Sequence, residues 1–271
     1  MHALPSVVAF VAALALAPAL RRTLEEAGQV RENYRGRPLP FPFGVLVVAA
    51  AVVALIPLAP LDDVTGGDVL APELGTIAVY ALGVAFLGLA DDALSGPSRG
   101  WRGHGAAVLG GRVSTGALKA VGSLGLALLV LRGHDDYLLA VLVLVLATNV
   151  FNLLDLRPGR AAKAFVLLGA GLTLGAWDVD PLWALGLFAA PVLVAGFYDV
   201  RERAMLGDTG SNLIGALAGL WLVLTLSTAG LAVAAVILLG VTAYGELRSI
   251  NALVERTPVL RHLDSIGRPH A

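Results

Sequence analysis

This 271-residue sequence predicts an all-α bundle of about nine helices crossing a membrane, and three observations predict it. Hydrophobic residues make up 57% of the chain and charged residues 14%, against about 25% charged in a soluble domain. The apolar residues fall in runs of the roughly 17–25 residues that span a bilayer. Charge is sorted between the loops: those after the odd-numbered runs, with the C-terminal tail and Lys119, hold 18 of the 19 Lys and Arg residues. Positive loops stay in the cytoplasm. The N-terminus is therefore expected outside and the C-terminus inside.

The runs follow in order. The first, about 4–20, ends in ALAPAL, which offers small residues for signal cleavage but has no basic segment before it, so it is read as a retained span. The basic stretch RRTLEEAGQVRENYRGR leads into the second span, about 42–60, and the third, about 72–90, ends on Asp91 and Asp92. Beyond SRGWRGH and GGR come the fourth, about 114–131, and the fifth, about 137–154, which closes on Asn149, Asn152 and Asp155. WDVDP is a tight turn between the sixth, about 161–177, and the seventh, about 181–198. The eighth, about 210–227, follows MLGDTGSN, and the ninth, about 229–247, runs into the tail. Residues 1–247 read as one transmembrane domain. Residues 248–271 read as a cytoplasmic amphipathic tail, with an apolar stripe of Leu247, Ile250, Leu253 and Val254 and a break at Pro258.

Absences narrow the chemistry. Without cysteine there are no disulfides, thiolate nucleophiles or Cys-bound metals. A net charge of −1 argues against a nucleic-acid partner. The ionisable residues avoid the span centres, which argues against a transporter.

Three sequence-distant spans bring Asp91, Asp92, Asn149, Asn152, Asp155 and Asp208 to the same expected membrane face. Such residues are often solvated helix ends, and Asn149 and Asn152, on one helical face, also suit interhelical packing. GALAG at 215–219 reads as a packing motif. The adjacent Asp91–Asp92 pair points further, because like charges beside hydrocarbon call for a cation. Oxygen ligands beside an anionic substrate describe a Mg2+ site, with Mn2+ as the alternative. At GDTGS, Gly207 and Gly210 permit a sharp turn into a helix. Asp208, Thr209 or Ser211 can cap its N–H groups, and its positive end favours phosphate.

GLADD (88–92), NVFNLLD (149–155), MLGDTGS (205–211) and NYRGRPLP (33–40) together resemble the cytoplasmic motifs of the polyprenyl-phosphate N-acetylhexosamine-1-phosphate transferases. The resemblance covers roughly residues 30–225, and its ordered set of four segments is more specific than any one of them. It implies a bacterial inner-membrane enzyme of cell-envelope synthesis, a polyprenyl phosphate and a nucleotide-sugar as partners beside the membrane lipids, and a homodimer as candidate assembly. In the implied reaction a lipid phosphate attacks the sugar-side phosphorus of the nucleotide-sugar, and the nucleoside monophosphate leaves. Carried over, Asp208 is a Mg2+ ligand. Asp91 and Asp92 bind metal or lipid phosphate, one of them accepting a proton. Asn149, Asn152 and Asp155 line the nucleotide side, Arg35 or Arg37 faces phosphate, Lys119 assists, and Gly207 and Thr209 shape the substrate turn.

Two departures stand against the family pattern. Its second motif continues DGxDGL, where this chain reads DLRPGRA with Pro158 at the second Asp, and its His-rich loop is missing, leaving His262 and His270 in the tail. The tail, with Arg248, Arg256, Arg261 and Arg268, is expected to cover the cleft in that loop's place. The alternative is a catalytically inactive relative that binds lipid phosphate or acts as a regulatory scaffold. Prenyltransferases and CDP-alcohol transferases fit less well, since neither DDALS nor DLRPGRAA has their motif spacing.

Overall fold

The computed structural model describes residues 1–94 and 114–269. Arg99, Arg102, Arg112 and His270 lie outside the described residues. Within them, nine long helices take up the nine apolar runs: α1 (Leu4–Glu26), α2 (Val45–Thr65), α3 (Leu74–Leu94), α4 (Thr115–Val130), α5 (Tyr137–Leu154), α6 (Arg160–Ala176), α7 (Asp180–Val200), α8 (Gly207–Thr225) and α9 (Thr228–Leu247). Two short helices, α10 (Ile250–Arg256) and α11 (Pro258–Ser265), form the tail.

The protein is an all-α multi-pass membrane protein. Among the described residues, six helices (α1, α2, α3, α5, α7 and α9) are long and apolar enough to cross a bilayer. The other three differ for visible reasons. Helices α4 and α6 are 16 and 17 residues long, and the first two turns of α8 carry Asp208, Thr209, Ser211 and Asn212. Pro57 and Pro60 do not end α2, and Pro191 does not end α7. A helix in a bilayer tolerates proline because no water competes for its backbone and neighbouring helices support it.

Helix α8 is the axis of the bundle. It is buried almost throughout and packs against α3, α5 and α6. The 215–219 motif packs it closely, as expected: a Cβ on Gly215 would sit 2.7 Å from Thr148 Cα of α5, and one on Gly219 would sit 3.0 Å from Leu144 Cα. Helices α1 and α9 form the outside, with Val7, Val11 and Leu14 on one and Val233, Val236 and Ile237 on the other exposed for lipid.

One element departs from the all-helical expectation. Val30–Glu32 and Pro38–Pro40 pair as an antiparallel hairpin, here β1 and β2, with Val30 opposite Pro40. The chain beyond it is stitched to the segment before α8: Met205 N donates to Pro40 O (2.9 Å), and Phe43 N donates to Met205 O (2.8 Å). The basic NYRGRPLP segment and the GDTGS turn therefore share one end of the bundle.

Candidate active site

Gly88 explains how two acidic motifs meet. A side chain there would collide with the backbone of Asp208 and Thr209, so its absence lets α3 lie directly against the first turn of α8. One turn further along α3, Asp91 and Asp92 reach that same turn.

The two aspartates have different partners. Asp91 Oδ2 pairs with Lys119 Nζ of α4 at 2.7 Å, and the same ammonium meets Asp208 Oδ2 at 2.5 Å. Asp92 instead turns both oxygens to α8. Its Oδ1 accepts from Asp208 N (2.9 Å), and its Oδ2 accepts from Thr209 N (2.8 Å) and Thr209 Oγ1 (2.6 Å). Helix α8 has no side-chain cap of its own, so the expectation that Asp208, Thr209 or Ser211 caps it gives way to a cap from α3. The same carboxylate occupies the helix end that the sequence reading offered to phosphate. Gly207 makes room for it: at φ +72°, a Cβ there would stand 2.7 Å from Asp92 Oδ2.

Beside this mouth lies a polar cavity of about 300 Å3, lined by Asp92, Asp155, Asp199, Gly207 and Asp208 on its acidic side and by Arg31 and Arg157. Asp155, just past the end of α5, is pushed well above the ordinary carboxylate range by burial first and then by Asp199, Asp208 and Asp92. Larger cavities between α6 and α7, of about 360 and 520 Å3, have apolar walls with Lys163 as their one charged residue. Chemistry on charged groups belongs to the polar cavity.

The remaining expected residues divide. Asn152 Oδ1 accepts from Ser211 Oγ of α8 at 3.0 Å, and Asn149 Nδ2 reaches Thr242 Oγ1 of α9 at 3.4 Å. Both asparagines bridge helices, and neither lines the cavity. Arg35 and Arg37 do not line it either. They approach Glu202 at 3.4 and 3.9 Å, and that buried carboxylate also accepts from Asn33 Nδ2 and Tyr34 Oη. The hydrogen bond to the Tyr34 hydroxyl raises the Arg35 pKa, with Glu202 adding to it and desolvation opposing it.

Arg31, Asp199 and Glu202 escaped the sequence reading, and Arg157 entered it only within the altered DLRPGRA segment. Arg31 lies 3.9 Å above the Phe41 ring and Arg157 lies 4.2 Å above the Tyr34 ring, so each guanidinium rests on an aromatic ring at the cavity. Asp199 is buried and accepts from Gly159 N at 2.6 Å, which fixes the loop after Asp155. Glu202 anchors the hairpin. Charge alone gave no means of telling Glu202 or Asp199 from the solvated residues of DVRER.

The tail docks on that same loop. Asp264 is gripped by Arg160 and Arg268, at 2.7 and 2.6 Å to its Oδ1, and Arg160 also donates to Asn251. Arg268 Nε donates to Pro158 O (3.0 Å), and Lys163 Nζ donates to the carbonyls of Leu263, Asp264 and Ile266 at the end of α11. Arg268 is thus committed to the protein itself rather than to phosphate. Burial raises the Asp264 carboxyl, but Arg160 and Arg268 outweigh it and hold the group below its usual range.

The fit to a divalent cation rests on Asp91 and Asp208. They already converge on one cationic centre, the Lys119 ammonium, and hard carboxylate oxygens suit Mg2+ or Mn2+. Among the described residues no group of three or more His, Cys, Asp or Glu is placed to hold a metal. Two carboxylates leave most of a Mg2+ shell to water and substrate phosphate, which is its common mode of binding.

No protein-family profile matches the chain. Over 86 residues it is 46% identical to the phospho-N-acetylmuramoyl-pentapeptide-transferase of Synechococcus sp. (strain JA-3-3Ab), a stretch covering 30% of this chain. The match spans a quarter of that relative's length (25%), and over that stretch this membrane protein is similar to a phospho-sugar transferase.

Proposed function

We propose that the protein transfers a sugar-1-phosphate from a nucleotide-sugar to a polyprenyl phosphate at the cytoplasmic face of a bacterial inner membrane. One observation carries the reading: Asp91 and Asp208, from different helices, converge on a single cationic centre, and Asp208 also lines the polar cavity that holds Arg31 and Arg157. The likeness to a phospho-N-acetylmuramoyl-pentapeptide-transferase supports it. The gathering of 18 of the 19 Lys and Arg residues on one side supports the orientation.

In this reading an oxygen of the lipid phosphate forms a bond to the sugar-side phosphorus of the diphosphate. The bond from that phosphorus to the bridging oxygen breaks, and the nucleoside monophosphate leaves with the electron pair. Such an exchange needs charge neutralisation and alignment more than a strong base. A Mg2+ held by Asp208 and Asp91 would supply part of that neutralisation. Lys119 offsets one of the two negative charges and draws the two carboxylates together. Arg31 and Arg157, each resting on an aromatic ring, offer planar donors to phosphate oxygens. Asp155 and Asp199 shape the wall where the nucleoside would sit.

The test is turnover by purified protein given Mg2+, undecaprenyl phosphate and a panel of nucleotide-sugars. Nucleoside monophosphate should appear with at least one donor and should require both the lipid phosphate and the metal. No release from any donor would favour the inactive scaffold, a reading that draws on Arg157 and Pro158 standing inside the second motif.

A further inference from the structure

The two aspartates of GLADD sit side by side in sequence, yet the structure gives them separate tasks. Consecutive residues on a helix point about 100° apart, so they rarely serve one atom together. Asp91 faces Lys119. Asp92 faces the backbone of α8.

We propose that Asp92 is a positioning residue, the cap of α8 supplied from α3, which sets the place of Asp208 and is not itself a ligand of the cation. The cation in this statement rests on the proposed transferase reading; the cap does not. Three bonds carry the assignment: Oδ1 takes the Asp208 amide, and Oδ2 takes both the amide and the hydroxyl of Thr209. The N-cap position of α8 is Leu206, whose side chain cannot accept a hydrogen bond. Without Asp92 these amides would end a helix buried at this turn with nothing to satisfy them, since Thr209 and Ser211 are 2% and 0% exposed. The local sequence is arranged around the carboxylate: Gly207 leaves the space it fills, and Gly88 brings α3 close enough to deliver it. A negative group at this end also opposes the positive pole of the helix dipole. The bonded amide is that of Asp208 itself, so the cap fixes the backbone from which the Asp208 carboxylate projects toward Lys119.

Backbone amide exchange in the full-length protein in nanodiscs, with Mn2+ titration followed by electron paramagnetic resonance, tests this. Asparagine keeps one of the two acceptor oxygens, so Asp92→Asn should hold exchange at one of residues 208 and 209 within about threefold of wild type and speed it at the other, whereas Asp92→Ala should accelerate both about tenfold. Mn2+ half-saturation should rise by less than about tenfold in Asp92→Asn, where one cap bond still places Asp208, and should rise further in Asp208→Asn, where a ligand charge is lost. Unchanged exchange in Asp92→Ala would overturn the cap. A loss of Mn2+ affinity in Asp92→Asn as large as that in Asp208→Asn would make Asp92 a ligand and overturn the assignment. Should Asp92→Ala fail to fold, Thr209→Val removes one of the three bonds at constant shape. It should speed exchange at 209 about twofold without moving Mn2+ binding, and unchanged exchange there would also count against the cap. Absence of Mn2+ binding in wild type would remove the transferase reading, while the exchange measurements would still decide the cap.

Discussion

Around Lys119, two carboxylates converge on one ammonium; around Asp264, two guanidiniums converge on one carboxylate. Both clusters sit at the same end of the bundle, and they are mirror images in charge. The Asp264 cluster is saturated. Arg160 and Arg268 each reach both of its oxygens, and Asn251 and the Pro158 carbonyl take further guanidinium hydrogens. The Lys119 cluster is not: Asp91 and Asp208 each lend Oδ2 to a single positive charge, and more acid lies alongside in Asp92, Asp155 and Asp199. A saturated cluster fastens one piece of chain to another. An under-neutralised one, beside a polar cavity, has capacity left for a cation and an anionic substrate.

The contrast is broken most directly at Asp208. Asp208→Asn keeps the shape and the backbone but removes the charge. Transfer should fall by about 10²-fold or more, measured as nucleoside monophosphate release, while the melting temperature moves by no more than about 4 °C. A variant retaining most of its turnover would show that the acidic excess has no chemical role.

The second effect is structural. Asp264→Ala leaves the buried Arg160 with Asn251 but without its carboxylate, and the loss should be about 3–5 kcal/mol of local stability. Fast amide exchange across 250–269 would register it. Acid should do the same more gently. The Asp264 pKa is lowered in the folded protein, so its contribution is complete above the ordinary aspartate pKa and is lost as pH falls through the lower, folded value. The tail should therefore stay docked near pH 4, about where a free aspartate is half protonated, and loosen on further acidification; protease sensitivity of 256–269 would follow it.

Gly207→Ala comes next, at about 1–2 kcal/mol for a left-handed backbone. Because the added Cβ also crowds Asp92 Oδ2, it should disturb activity more than its thermal cost suggests. Arg37→Ala is the smallest. With its side chain 56% exposed and 3.9 Å from Glu202, its loss should change stability by less than about 0.5 kcal/mol and leave donor KM unaltered.

That last expectation reverses the sequence reading, and the reason is general to this molecule. Apolar runs, loop charge and the 215–219 glycines were legible because each is a local pattern with a physical period or sign. The approach of Asp91 and Asp208 was legible from shared membrane depth. The division of labour between Asp91 and Asp92 was not, since it depends on which face of α3 meets α8. Arg35 or Arg37 was expected at phosphate through the family resemblance, and their pairing with Glu202, some 165 residues away, left no local mark in the sequence. Asn149 and Asn152 were read both as packing and as substrate groups, and their partners lie on other helices. The hairpin was missed because strands of three residues with two prolines in β2 carry too little alternation to register. The tail reached the expected end of the bundle, but its Arg268 turned inward.

In the proposed reaction a phosphorylated sugar, rather than a bare sugar, moves to the lipid. A nucleotide-sugar labelled at its sugar-side phosphorus tests this directly when supplied with Mg2+ and undecaprenyl phosphate. The expected outcome is label in the lipid product, unlabelled nucleoside monophosphate in solution, and neither with Asp208→Asn. Label remaining in a released nucleoside diphosphate, or no transfer with any donor, would contradict it.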